Sequence, residues 1–144
     1  LYNHSKVKAL VSLTHGEGFG LPLYEAAYNN LPVIATDWSG HLDFLTTGSG
    51  KRRKKLFAAV KYELQQIPPH AVWDGVLHAE SKWAVIDDKD AKKKMRDVFK
   101  NYAKWQKKAQ TLSNTFKDSA YYYNKFNEAL ELEINSDSTE AVVL

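Results

Sequence analysis

The chain has 144 residues, 44% of them hydrophobic and 26% charged, with no cysteine and a net charge of +3. That length and mixture suit one compact domain and exclude two full ones, a disordered tail and a collagen-like chain. The lack of cysteine excludes a disulfide scaffold, a thiolate metal site and a cysteine nucleophile.

No uninterrupted apolar stretch approaches the roughly 20 residues that cross a bilayer, and Leu1-Tyr2-Asn3-His4-Ser5-Lys6 carries no signal-peptide pattern. The expectation is a soluble, cytoplasmic protein. The first residue is Leu and an apolar segment begins almost at once, so the chain is expected to be a piece of a longer one. Charge is unevenly spread: residues 1–50 carry a net −2, residues 51–127 a net +10 and residues 128–144 a net −5. A basic middle suits either an anionic partner or a solvated lysine-rich surface, and the second is commoner.

In chain order, residues 7–13 form a short apolar run rich in β-formers that stops at a glycine cluster, as a buried parallel strand does. Pro22 suits the first turn of a helix, where its missing N–H has no partner, and the helix continues through Tyr28 to a stop at Asn29-Asn30. Residues 32–36 are a second strand, which completes a βαβ unit around a glycine loop. Ser39-Gly40 is a second loop, followed by a short helix over residues 41–45. Residues 46–55, with Lys51-Arg52-Arg53-Lys54-Lys55, read as a surface loop, and residues 56–64 as a strand ending before Pro68-Pro69. From Asp87 the pattern turns helical. Ala91, Met95, Val98, Tyr102, Trp105, Ala109, Leu112 and Phe116 recur at alternating spacings of four and three, the seam of a helix or broken helix pair that covers a sheet. Their sizes vary too much for the uniform layers of a coiled coil. A further helix is expected from about Asp118 to about Leu132. The unit spans residues 1–134, and residues 135–144 are expected to fray.

The fold class is therefore α/β: a partial Rossmann-like parallel sheet followed by C-terminal helices. Its chemistry concentrates in His15-Gly16-Glu17-Gly18-Phe19-Gly20-Leu21-Pro22, between a strand and a helix. Glycines there let backbone N–H groups approach a ligand, and the helix N-terminus favours an anionic group such as phosphate. Open α/β sheets place ligands at this carboxyl end of the strands. Asp37, after the second strand, stands where a dinucleotide fold keeps its ribose carboxylate. However, the glycines alternate, the G-x-G-x-x-G fingerprint is absent, and Glu17 would repel a pyrophosphate placed as in that fingerprint. Two carboxylates, Glu17 in the loop and Glu25 about one turn into the helix, suit a polyol instead, since each accepts paired hydrogen bonds from adjacent hydroxyls. They read as a nucleotide-sugar pocket. The plainer reading has Glu25 serving the helix dipole in the first turn and Glu17 as an exposed loop residue.

The run from Glu17 through Gly18-Phe19-Gly20-Leu21-Pro22-Leu23-Tyr24 to Glu25-Ala26, continuing to Leu31-Pro32-Val33-Ile34-Ala35-Thr36 and Ser39-Gly40, resembles the donor-binding half of retaining glycosyltransferases of the GT-B fold, the group 1 family. The resemblance is densest over residues 7–45 and weaker at Lys82-Trp83-Ala84 and the helix start at Asp87-Asp88. It implies that Glu17, the catalytic candidate, contacts hydroxyls of the donor sugar and that Glu25 contacts the nucleotide ribose. The backbone of Gly18, Phe19 and Gly20 would line the sugar and phosphate site, and His15, Gly16 and Leu21 complete the candidate donor contacts. It also implies metal-independent hexose transfer with retention, the donor phosphate helping to take the acceptor proton, and no cofactor beyond the nucleotide-sugar substrate. The family's basic Arg and Lys pair and its acceptor-binding N-terminal domain lie upstream of this chain, so the chain is expected to bind donor at best weakly and to be inactive alone.

The rest of the sequence offers rivals. The five adjacent cations suit a nucleic-acid or anionic-membrane patch, but nearby aromatics follow helix spacing and form no stacking platform, so a solvated loop is favoured and no nucleic acid is expected. Peripheral membrane contact stays open for a lipid-linked acceptor. His4, His15, His41, His70 and His78 form no H-x-x-x-H pair, against a zinc site. His15 is either a donor contact or a loop-packing residue. His41 is a second cleft-lining candidate, and Ser39 reads as a helix cap. Trp73, Trp83, Trp105 and Tyr121 to Tyr123 suggest a carbohydrate-binding module or, more simply, core and interdomain packing.

Overall fold

A computed structural model of the chain describes residues 1–48, 50–118 and 123–124. Its first unit is the expected βαβ: strand β1 (Leu10–Ser12), helix α1 (Leu21–Tyr28) and strand β2 (Val33–Thr36). The chain continues through a one-turn helix α2 (Leu42–Leu45) into the short antiparallel pair β3 (Thr46–Thr47) and β4 (Lys54–Lys55), then strand β5 (Ala58–Val60). Strands β1, β2 and β5 form a parallel sheet in that order, with Leu10 opposite Val33 and Ile34 opposite Ala58. An antiparallel hairpin, β6 (Tyr62–Gln66) and β7 (Lys82–Ile86), and two helices, α3 (Asp88–Lys100) and α4 (Tyr102–Lys117), complete the described chain. This is a mixed α/β architecture with a partial Rossmann-like sheet.

The central strand β2 is buried along its whole length, and its alternation sorts the core into two layers. Val33 and Ala35 join Leu23, Ala26 and Ala27 of α1, Phe44 and Leu45 of α2, and Leu112 and Phe116 of α4. Ile34 faces the other way, with Ala58, Val60, Ala91, Val98 and Trp105. Successive strand side chains point to opposite faces, so each layer takes every second residue. The helical seam is thus split between faces: α3 packs on β5, α4 packs on α1, and the chain breaks at Asn101. Asp87 caps α3 by accepting from Lys89 and Asp90 N–H at 2.8 and 3.0 Å. At the break, Asp97 accepts from Asn101 Nδ2 at 2.6 Å and Trp105 Nε1 at 2.8 Å. These two bonds hold its carboxyl below the usual carboxylate range. Ser113 Oγ donates to the Tyr28 carbonyl at 2.6 Å and fastens α4 to the end of α1.

Several expectations change. The first strand is shorter than residues 7–13 and is not buried: β2 is its one strand neighbour among the described residues, which leaves Val11 44% exposed. Beside Val11, a groove of about 410 Å³ is lined by Met95, Phe99 and Tyr102. Met95 accordingly leaves the buried seam. Residues 56–64 are two strands in two sheets, since the chain turns at Lys61 from β5 into the hairpin. The basic run is less free than a solvated loop, because β4 pairs with β3, Lys55 is ion-paired to Asp37, and Arg53 lies 3.8 Å from Asp43. The helix expected from Asp118 to about Leu132 and the fraying tail lie outside the described residues, apart from Asp118, which caps α4, and residues 123–124. Among the described residues no helix is long and apolar enough to cross a membrane.

Candidate functional site

Two loops leave the carboxyl end of the parallel sheet, the candidate ligand side: residues 13–20 after β1 and residues 37–41 after β2. They are bound to each other through backbone. Ser39 Oγ donates to the Glu17 carbonyl at 2.6 Å and accepts from Glu17 N–H at 2.9 Å, and Gly40 N–H reaches the same carbonyl at 3.2 Å. Below them, Thr36 Oγ1 donates to the Thr14 carbonyl at 3.0 Å. This approach needs glycine at position 40, where a Cβ would stand 1.8 Å from the Gly18 oxygen. Ser39 itself holds a left-handed φ of 91°, a strained backbone for a residue with a Cβ, maintained by its bonds to Glu17. Ser39 is therefore a loop clasp and not the expected helix cap; α2 has no side-chain cap.

Gly20 opens α1 with φ 85°, and the helix starts at Leu21 with Pro22 in its first turn. A Cβ at Gly20 would press on Leu23 Cδ1 at 2.8 Å and His41 Cβ at 3.2 Å. Of the expected contact residues, Gly20 is buried, Glu17 is half-buried, and His15, Gly16, Gly18, Phe19, Leu21 and Glu25 are exposed. Phe19 rests its ring on Phe44 and Tyr24, with centroids 5.0 and 5.7 Å away. Among the described residues no heavy atom beyond its chain neighbours lies within 4 Å of where a Gly18 Cβ would stand.

The two carboxylates are held by separate hydroxyls. Thr14 Oγ1 donates to Glu17 Oε1 at 3.1 Å, and the Tyr2 hydroxyl donates to Glu25 Oε2 at 3.0 Å. Burial and then the Glu25 carboxylate push the Tyr2 phenol above its ordinary range. Asn3 Nδ2 bonds Asn29 Oδ1 at 3.0 Å, so two consecutive residues before β1 are pinned to α1. Glu25 sits in the second turn of α1, and the first turn holds no acidic residue. The dipole explanation for Glu25 fails on that geometry, because the effect fades beyond the first turn. Glu17 is not a free loop side chain either.

The histidines separate. His41 is buried, with Nε2 2.7 Å from the Thr36 carbonyl and its ring edge-on to Phe57, so it supports the loop from beneath and does not line the cleft. His15 is exposed and stacks on Trp83 of β7. Asp37, the ribose candidate of a dinucleotide site, is ion-paired to Lys55. Trp105 is core, whereas Trp73 is 68% exposed in the loop between β6 and β7. Among the described residues no group of three His, Asp or Glu side chains is placed to hold a metal ion.

Sequence reasoning missed Tyr2, the Ser39 clasp and the Trp83 stack. The Thr14 and Glu17 pairing, three residues apart, is a local signal. The contact between His15 and Ala84 spans 69 residues and has none.

Residues 1–63 match the family Glycosyl transferases group 1. The matched stretch contains β1, α1, β2, both ligand-side loops and both carboxylates, and it ends inside β6. It supports the glycosyltransferase family and, with it, a sugar donor and an acceptor as the general partners. Comparison with curated proteins and with solved structures returns no match.

Proposed function

We propose that this chain is the donor-binding portion of a retaining GT-B glycosyltransferase that acts in the cytoplasm and needs no metal. The observation that carries the reading is the pair Glu17 and Glu25. They flank a glycine loop at the carboxyl end of β1, inside the stretch that matches the family. Glu17, half-buried and steadied by Thr14, accepts hydroxyls of the donor hexose at the reacting end. Glu25, exposed and steadied by Tyr2, accepts the ribose hydroxyls. Ionised carboxylates accept from two adjacent hydroxyls at once, which suits both rings. Gly16, Gly18, Phe19 and Gly20 offer backbone to the sugar and phosphates, with His15 and Leu21 at the margins.

In the reaction, the bond from the anomeric carbon to the donor phosphate breaks and a bond to the acceptor oxygen forms on the same face. The acceptor proton passes to the departing phosphate, and a nucleoside diphosphate leaves. Positioning dominates such a step, so the acceptor-binding domain is required for turnover. The residues described supply the donor side of that step. The dinucleotide alternative loses support, since the Lys55 ion pair occupies Asp37.

The test is calorimetric titration with UDP-, GDP- and ADP-sugars and with NAD as control. One nucleotide sugar is expected to bind saturably. Glu17→Ala and Glu25→Ala should each weaken it by roughly 10- to 100-fold, the range for hydrogen bonds to a charged group. Tight NAD binding indifferent to Glu17 overturns the reading.

A further inference from the structure

The hairpin β6–β7 meets both ligand-side loops through aromatic rings. At its base, Tyr62 lies 5.4 Å from Trp38 of the second loop; further along, Trp83 lies face to face with His15 of the first, centroids 4.0 Å apart and planes 7° from parallel. Ala84 adds two polar contacts to the same residue. Its N–H donates to the His15 carbonyl at 3.1 Å, and its own carbonyl lies 2.7 Å from His15 Nδ1. A carbonyl oxygen only accepts, so Nδ1 must carry the proton. A ring protonated at Nδ1 alone keeps its lone pair on Nε2, which takes no hydrogen bond from any described residue, on a side chain that is exposed. The stack and the hydrogen bond together fix the ring's plane, its rotation and its tautomer.

We propose that Trp83 and Ala84 hold His15 so that Nε2 accepts a hydrogen bond from a hydroxyl of the donor's sugar, which makes Trp83 a positioning residue for sugar recognition. This rests on the donor-site reading above. The chemistry favours the sugar over the phosphates: a lone pair repels an anionic oxygen and attracts a hydroxyl proton. Glu17, two positions along, is likewise acceptor-only when ionised. The loop thus presents two neighbouring acceptors to a polyol.

The experiment uses the full chain at about pH 8. UDP-glucose, GDP-mannose and ADP-glucose are titrated against UDP, GDP and ADP, and long-range ¹H–¹⁵N correlation reads the His15 tautomer. Wild type should show the Nδ1–H tautomer. Trp83→Leu should lose that preference and weaken the bound nucleotide sugar about 3- to 10-fold, the range of one neutral hydrogen bond, with the matching nucleoside diphosphate unchanged. Trp83→Phe, which keeps a stacking face, should restore most of the difference and serves as the working variant where Trp83→Leu does not fold. His15→Ala should reproduce the selective loss, and the double variant should add little to it. Equal weakening of sugar and diphosphate, an Nε2–H tautomer in wild type, or additive losses would overturn the proposal while leaving the donor reading intact. Absence of nucleotide-sugar binding in wild type would overturn both.

Discussion

Gly40→Ala tests whether the two ligand-side loops are one unit. The added methyl would stand 1.8 Å from the Gly18 oxygen and 2.9 Å from its carbonyl carbon, where an ordinary carbon–oxygen contact needs about 3.3 Å. The far atoms are backbone, so no flexible side chain absorbs the clash, and the loops must part by more than an ångström. Parting stretches the three bonds to Glu17 made by Ser39 Oγ and Gly40 N–H. Overpacking of this kind costs ~1–3 kcal/mol, and the bonds it strains contribute ~0.5–1.5 kcal/mol each. Relaxation trades one cost for the other, so about 2–3 kcal/mol is expected, a large share of the ~5–15 kcal/mol that stabilises a domain. With a urea dependence of ~1–3 kcal/mol per molar, the unfolding midpoint should fall by about 1 M. Gly18→Ala is the internal control: its methyl meets no atom of the described residues beyond its chain neighbours within 4 Å and should change stability by no more than ~0.5 kcal/mol. A Gly40→Ala midpoint equal to wild type, or a larger loss at Gly18 than at Gly40, would refute the contact between the loops.

Ser39→Ala removes both Oγ bonds to Glu17 and should destabilise by about 1–3 kcal/mol in urea unfolding, whereas Ser39→Thr should retain part of the clasp. Asp97→Ala leaves the buried Trp105 indole N–H without its acceptor and should cost about 1–3 kcal/mol, with a change in Trp105 fluorescence. Because Asp97 is depressed in the folded chain, its contribution is complete above the ordinary carboxylate pKa of ~3.9. It is lost as pH falls through the lower folded value, so urea midpoints across acid pH should show a decline that Asp97→Asn abolishes. Phe99→Ser, at a side chain 83% exposed, should leave the midpoint within ~0.5 kcal/mol of wild type.

Much of the fold is legible because its signals are local. Pro22 within the first turn and Asn29-Asn30 after the last bound α1, and Asp87 before a lysine-rich amphipathic run marks the start of α3. The seam from Ala91 to Phe116 follows helix geometry and appears as two helices. The sequence does not show where the seam changes face, with Ala91, Val98 and Trp105 on the Ile34 side of the sheet and Leu112 and Phe116 on the other, because helix spacing reports a buried stripe and not the partner it meets. Strand boundaries were harder. β1 contributes only three residues, and Ala58 to Gln66 carries no break strong enough to reveal that neighbouring segments enter different sheets.

At the site, residue types and spacing by themselves determined the glycine loop, the two carboxylates and the resemblance that the match over residues 1–63 supports. Those depend on chemistry carried within a few residues of chain. Only the tertiary structure decided how the groups are held: Tyr2 on Glu25, Ser39 beneath Glu17, His41 withdrawn into the core, and His15 turned onto Trp83. All but the His41 hydrogen bond to Thr36, five residues away, join segments far apart in the chain, and a contact of that kind is set by how elements pack, which no local pattern encodes.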